Sequence, residues 1–395
     1  MIRHVVRLVL RRARANALVA VEILCCFIVV FVVAALGLYY LDNQRLPLGF
    51  DRRGVVDVEV DMKTGTDDEW TPEQVATFAL LFKELRNLPD VVAVAGAMTA
   101  PYDQSTYAGD WTVEGRAVQM EFDEVTVGFG DVLQAELAGG RWFEEADAAL
   151  GWRPVVLTRS LAREFFGDVE PLGRRLPGQE TEDLRVVGVI DQFRKGGELS
   201  APVNRVFYYK GIGDVRNRPP RHLLVRLRPG TPAGFEQEVV RRMLAVAPNW
   251  SFDARTLEQA RSTARAFALV PLALAALVAS FLLLMVALGL IGVLWQNVTR
   301  RTREFGLRRA VGASAAAVRG QLLLELVVLT VLATAAGVVM VVQIPLLGWL
   351  PVPGHVYAGA VLVAFAMVNG LTLAAGLYPA TLATAVEPAA ALHHD

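Results

Sequence analysis

Residues 257–295 read LEQARSTARAFALVPLALAALVASFLLLMVALGLIGVLW. From Ala266 to Trp295 this stretch carries no Asp, Glu, Lys or Arg. A helix rising about 1.5 Å per residue needs about 20 apolar residues to cross a hydrocarbon core roughly 30 Å thick. The stretch therefore reads as a membrane span. Thr256, Leu257, Glu258 and Gln259 form a capping box directly ahead of it. Only Pro271 interrupts the helical pattern, so a helix from Leu257 to Trp295 is about 58 Å long and exceeds the membrane. The expectation is a stalk that carries the span outward into the neighbouring domain. Pro271 removes one backbone hydrogen bond and is expected to kink it. A long tilted helix with a frayed outer end accounts for the same residues.

Three more runs qualify as spans. Ala17 to Leu41 contains one charge, Glu22; Leu322 to Leu347 contains one, Glu325; Val356 to Tyr378 contains none. The 395-residue chain is 54% hydrophobic and 20% charged, below the roughly 25% charged residues usual in soluble domains. The excess apolarity is confined to these four blocks. The first run is long for a cleaved signal peptide and reads as a retained span. Cys25 and Cys26 both lie inside it, so no disulfide framework exists. Leu24 ahead of them does not suit a lipidation signal.

Orientation follows from the basic residues beside the spans. Residues 1–16 carry Arg3, Arg7, Arg11, Arg12 and Arg14 and no acid. The loop after the second span carries Arg300, Arg301, Arg303, Arg308, Arg309 and Arg319 against Glu304 alone. Both segments are expected in the cytoplasm, and with four spans both termini as well. The tail from Pro379 holds no Lys or Arg and is neutral on the point. Residues 42–265 then lie outside, with 28 basic and 35 acidic residues. The division is a basic segment 1–16, spans 17–41, 266–295 (with a stalk from about 257), 322–347 and 356–378, a cytoplasmic loop 296–321, a short outer loop 348–355 and a tail 379–395.

The external segment is long enough for a real core. Val56, Val58 and Val60 alternate with Asp57, Glu59 and Asp61, a strand of period two. Thr71-Pro72-Glu73-Gln74 opens a helix, with Thr as cap, Pro first and Gln three on. Val75, Phe78, Phe82 and Leu85 follow at helical spacing. Val91–Met98, Met120–Val127, Val155–Leu157, Leu184–Ile190, Val206–Tyr209, Leu223–Leu227 and a stretch near Phe252 read as strands. Ser160–Phe166 and the run with Phe235, Val239 and Met243 read as helices. The fold class is a four-helix membrane protein with an inserted α+β domain of two lobes. Pro101 to Asp110 is a candidate lobe boundary or exposed loop.

The cytoplasmic loop reads as a short basic helix, a turn at Gly312, and a new helix capped by Ser314. Phe305, Leu307 and Val311 offer apolar contacts among the arginines. Taken as residues alone, it serves equally as a topology-fixing loop on anionic lipid or as a docking surface. Arg303-Glu304-Phe305-Gly306-Leu307-Arg308-Arg309-Ala310-Val311-Gly312-Ala313-Ser314, followed by Gln321 and Glu325, resembles the signature of MacB/FtsX-type ABC permeases. Gly140-Arg141-Trp142-Phe143, Pro154-Val155-Val156-Leu157, Phe165-Phe166-Gly167, Pro171-Leu172-Gly173 and Val186-Val187-Gly188-Val189 resemble the MacB-type periplasmic core domain, in order. Tyr378-Pro379-Ala380 and Glu387-Pro388-Ala389 are similar to that family's C-terminus.

The resemblance implies that Arg303 to Arg309 and Gly312 form a coupling helix on an ABC ATPase, present in two copies. It implies a homo- or heterodimer of permeases in the bacterial inner membrane, with the first and second spans facing each other. ATP-driven movement would pass along the stalks to the periplasmic domains, where an amphipathic substrate is exported or extracted. A periplasmic adaptor or outer-membrane channel would join some assemblies. No G-x-x-x-x-G-K-[ST] phosphate loop occurs, so ATP and Mg are expected on a separate ATPase chain. The tail, which lacks the arginines usual in the family, and the opening of the first span depart from the family's usual text, which bears on the cytoplasmic contact and on the dimer interface. The alternative is an FtsX-like scaffold that activates a periplasmic partner without transport.

Other chemistry is thin. Glu22, about five residues into its span, is expected to snorkel or to pair with Arg14 or Arg319, and Glu325 to pair locally. Of five histidines only His222 lies in the external segment, so neither a metal site nor a Ser-His-Asp arrangement is expected there. No enzymatic motif, bound cofactor or nucleic-acid partner is indicated.

Overall fold

The computed structural model describes residues 13–62, 71–113, 115–178, 182–213, 220–300, 307, 311–347 and 352–385. The chain divides into two compact units, Met1–Asp42 with Leu269–Asp395, and Asn43–Ala268.

Helix α1 spans Ala13–Asn43. The second unit then builds one ten-stranded mixed sheet. Its elements are β1 (Val55–Asp61), α2 (Pro72–Arg86), β2 (Val91–Ala97), β3 (Ala108–Val113), β4 (Arg116–Val125), the short α3 (Phe129–Leu133), β5 (Leu137–Gly140), β6 (Arg153–Thr158), α4 (Arg159–Phe166), β7 (Leu184–Ile190), β8 (Arg205–Tyr209), β9 (His222–Leu227), α5 (Phe235–Val246) and β10 (Ser251–Thr256). The strand order is β10-β1-β9-β2-β4-β8-β6-β7-β5, with β3 hairpinned onto β4.

The sheet narrows at its middle. β2 and β9 share six register pairs, whereas β2 and β4 share one, Ala97 with Val125. On one side, α2 and α5 cover β1, β9 and β2 through Phe78, Leu81, Leu85, Val239 and Met243. On the other, α4 covers β6, β7 and β8 through Leu161, Phe165, Val155 and Val206. These are the two lobes. A third core of Phe50, Phe129, Phe193, Phe207, Val125 and Leu224 draws on both halves and joins them where pairing is thin. At about 25 cal/mol per Å² of apolar area, burial of such aromatics contributes far more than one strand pair.

The capping box at Thr71 forms as expected, Thr71 Oγ1 accepting from the Gln74 amide and Gln74 Oε1 from the Thr71 amide. Two expectations are corrected. Asp57, placed by alternation on the polar face, is fully buried because His222 and Arg255 neutralise it there. Of the two readings of Pro101 to Asp110, a lobe boundary or an exposed loop, the second is the one corrected. Pro101 and Tyr102 are buried, and Ala108 onward is β3.

Three more helices follow: α6 (Leu257–Arg300), α7 (Ala315–Leu346) and α8 (Gly354–Ala385). With α1 they are the four helices long and apolar enough to span a membrane among the described residues. α6 runs unbroken through Pro271 for 44 residues, about 66 Å. Within the membrane unit, Ile23 and Phe27 of α1, Val286 and Leu290 of α6, Ala333 of α7 and Ala360, Ala364 and Val368 of α8 share one core. Small residues let the helices approach closely. Buried hydroxyls of Thr330, Thr334 and Thr372 donate to carbonyls four residues back at 2.8–3.0 Å, which satisfies them without water.

Gly337 faces the Phe27 ring so closely that a Cβ there would lie 2.4 Å from Phe27 Cδ1. Gly337→Val is expected to lower the melting temperature of the purified protein by several degrees, at an overpacking cost of about 1–3 kcal/mol. Adding Phe27→Ala should recover part of that loss, read as a coupling energy in a thermal-melt double-mutant cycle.

Candidate functional site

Buried cations of the sheet-bearing unit organise the site, near where the chain enters and leaves it. The loop Phe193-Arg194-Lys195-Gly196-Gly197-Glu198-Leu199-Ser200 follows β7 and turns through Gly197 at φ +88°, where a Cβ would meet the Tyr102 ring at 2.5 Å. Arg194 is 1% exposed. Its Nη1 donates to the Leu46 carbonyl at 2.8 Å, Nη2 to the carbonyls of Glu198 and Ser200 at 2.7 and 2.6 Å, and Nε to Ser200 O at 2.9 Å. A guanidinium cannot shed its proton, so burial obliges it to find acceptors, and here the backbone supplies them. Asn43, the last residue of α1, donates to Leu199 O at 3.0 Å, and the Arg194 amide to Leu48 O at 3.0 Å.

Arg226 on β9 repeats the device one layer away. It donates to the carbonyls of Val132, Asp51 and Arg53 at 2.6, 2.9 and 3.2 Å. The chain leaving α1 is thus held to the loop and to the sheet by two arginines distant in sequence.

The root of α6 is held to the same loop. Thr256 and Gln259 close their capping box. Arg52 meets Glu258 at 2.8 Å and Glu198 at 3.6 Å; Arg261 meets Glu198 at 2.6 Å and Glu258 at 2.7 Å. Two cations and two carboxylates alternate in a closed ring. An isolated surface pair contributes little, but a partly buried network with short Arg contacts orients its members. The exit from α1, the loop and the start of α6 therefore form one bonded base.

A second charged cluster sits where the lobes meet. His222 on β9 lies between Asp57, at 2.9 Å from Nδ1, and Asp103, at 3.6 Å from Nε2. Arg255 on β10 adds to Asp57 at 3.3 Å. Burial alone would push the His222 imidazole down, but the hydrogen bonds to Asp103 and Asp57 and their charges raise it to about 9. Burial would raise Asp103, but His222, the Ser105 amide and the Lys195 charge lower it to about 2. Lys195, lowered by burial, donates to the Ser105 carbonyl, and the fully buried Asp123, raised by burial, accepts from the Thr99 hydroxyl. The segment 99–105 is thereby strapped across the narrow point of the sheet. Among the described residues no three His, Cys, Asp or Glu side chains are placed to hold a metal ion.

The residues singled out from sequence lie elsewhere. Arg303, Glu304, Phe305, Gly306, Arg308 and Arg309 fall outside the described residues. Leu307 is helical and exposed, Gly312 turns at φ +102°, and Ser314 caps α7 by accepting from the Ala317 amide at 3.2 Å. Glu22 rests against Gly289 of α6, where a Cβ would lie 3.1 Å from Oε2. Arg319 is exposed and makes no ion pair with Glu22 in the structure; the other partner expected for Glu22, Arg14, has its side chain outside the described residues. Glu325 accepts from Gln321 Nε2 at 3.3 Å. The base was missed because its bonds join Arg194 to Leu46 and Arg226 to Asp51, separations of 148 and 175 residues that no local pattern signals.

Two family models match the chain: the MacB-like periplasmic core domain over residues 23–242 and the FtsX-like permease C-terminal region over residues 276–388. A pyoverdine export ATP-binding/permease protein of Pseudomonas savastanoi pv. phaseolicola is 29% identical over 277 residues, 67% of this chain and 41% of its own length. The ABC transporter permease YknZ of Bacillus subtilis is 24% identical over 328 residues, 79% of this chain and 77% of its own. The solved periplasmic region of MacB from Actinobacillus actinomycetemcomitans covers 54% of this chain and 94% of its own at 13% identity and TM-score 0.39. The chain spans about two-fifths of the length of the first export proteins it matches.

Two outcomes follow from the buried charges. Arg194→Met strands several buried carbonyls and is expected to destabilise the protein by about 3 kcal/mol or more. Arg159→Met, which removes an exposed pair with Asp191, should stay within about 0.5 kcal/mol; thermal melts compare the two. His222 keeps its proton to about pH 9 when folded but loses it near 6.5 when unfolded. Its contribution is therefore whole below about pH 6.5 and lost as pH rises toward 9. Stability measured from pH 6.5 to 9 should fall in the parent protein and run flatter in His222→Gln.

Proposed function

The chain belongs to the family that joins a MacB-like periplasmic core domain to an FtsX-like permease region, and from that premise we propose that it is the permease subunit of an ABC transporter whose ATPase is a separate chain. Two ATPase copies, carrying ATP and Mg, dock on the cytoplasmic segment around Arg303–Arg309 and Gly312 of two permeases. The assembly sits in the inner membrane with both termini in the cytoplasm and the sheet domain in the periplasm. Its work is the export or extraction of an amphipathic substrate on the periplasmic side. Transporters named for export are among its relatives, and the permease YknZ matches it over most of both chains.

The observation that carries the reading is mechanical. α6 is one 44-residue helix, and its outer end is fixed by Glu258 and Arg261 to the loop that also holds the exit of α1. On this reading, movement at the inner end of the helix passes along it to the base. The ring is what turns a displaced helix into a displaced domain.

Copurification from native membranes tests this first: a P-loop ATPase should be recovered with the chain. Arg308→Glu combined with Arg309→Glu should abolish that recovery and leave expression and membrane insertion unchanged. Undiminished recovery would remove the coupling assignment. Deletion that disturbs wall remodelling while export is normal would favour a signalling scaffold.

A further inference from the structure

At the margin of the face that α2 lays on the sheet, Val75, Ala79 and Phe82 form with Ile212 an open apolar groove of about 390 Å³. That is the lower end of the size range of small-molecule sites. Phe82 is 3% exposed and forms the floor. One end is charged, and among the described residues of one sign: Lys83 and Arg86 line it, and no carboxylate does. The Arg86 guanidinium lies 5.8 Å over the Phe82 ring, so cation and apolar floor are contiguous. Glu145 reaches Arg86 only at 3.8 Å and is 82% exposed, a contact that competes weakly with a ligand. Lys83 has no ion-pair partner among the described residues.

We propose that this groove binds a single-chain amphipathic anion, its acyl tail along Val75, Ala79, Phe82 and Ile212 and its carboxylate between Lys83 and Arg86. The complementarity is specific in sign. A neutral tail would gain the apolar floor but leave the two cations unanswered, and a cationic head would be repelled by both. Positions three apart on a helix point to one face, so one head group meets both side chains. This names a substrate class for the permease and rests on that reading for its use, although the binding itself does not.

The test uses the full chain in phosphatidylcholine nanodiscs with a diazirine-bearing dodecanoic acid, cross-linked by light and mapped by mass spectrometry. Label is expected on residues 72–87 and on the spans, and excess dodecanoate should remove only the former. Lys83→Glu with Arg86→Glu should reduce label on 72–87 about tenfold or more, the loss of about 1.4 kcal/mol or more of affinity, and leave span labelling intact. Both residues also suit the last turn of α2, so the double variant is melted to verify folding. Ala79→Trp fills the groove with no change of charge and should block labelling equally. A trimethylammonium analogue should label the spans alone. Unlabelled 72–87, label indifferent to charge reversal, or equal labelling by the cation would overturn the proposal. ATPase copurification, measured on the same variants, is expected to be unchanged, so its loss in the parent would fail the permease reading and not the groove.

Discussion

A buried guanidinium must be surrounded by acceptors, and in this protein the acceptors are backbone carbonyls of a segment that would otherwise be a connector. Arg194 closes on Leu46, Glu198 and Ser200, and Arg226 closes on Asp51, Arg53 and Val132. Each carbonyl so used gives up water for a charged donor, a bond worth roughly twice a neutral one. The segment after α1 cannot drift from the sheet without exposing unpaired groups on both sides. The loop that carries Arg194 also carries Glu198, and Glu198 holds Arg261 at the foot of α6. One loop therefore holds both the segment that follows α1 and the first turns of α6.

The same demand takes other forms elsewhere. In the helices, buried threonines bond to their own turns. At the narrow point of the sheet, a single strand pairing is reinforced by aromatic burial and by the strap of Thr99 to Ser105, with His222 held between two carboxylates. Each solution gives buried polar groups their partners without water.

The spans were legible because length and absence of charge are one-dimensional properties. The helices opening at Thr71 and Thr256 were legible because a capping box is completed within four residues. β5 passed unread, being four residues of Leu-Ala-Gly-Gly with no alternation. Asp57 was misread because period two reports which face a side chain takes and not whether that face is covered; β9 and β10 flank it and bring His222 and Arg255 to it. The base was illegible because its meaning lies in contacts across the whole domain, where an arginine in sequence is only a charge.

The base is the claim on which the mechanical account stands, and its rigidity is directly measurable. Spin labels at exposed Gln44 and Ser262, in a background with Cys25→Ser and Cys26→Ser, bracket the ring on the α1 and α6 sides. Pulsed electron paramagnetic resonance on the complex, nucleotide-free and then trapped with ATP, reads the distance between them. The account predicts one narrow distribution, unchanged between the two states. A distribution that shifts or broadens when ATP binds would mean that the ring gives way and that α6 does not carry the domain with it.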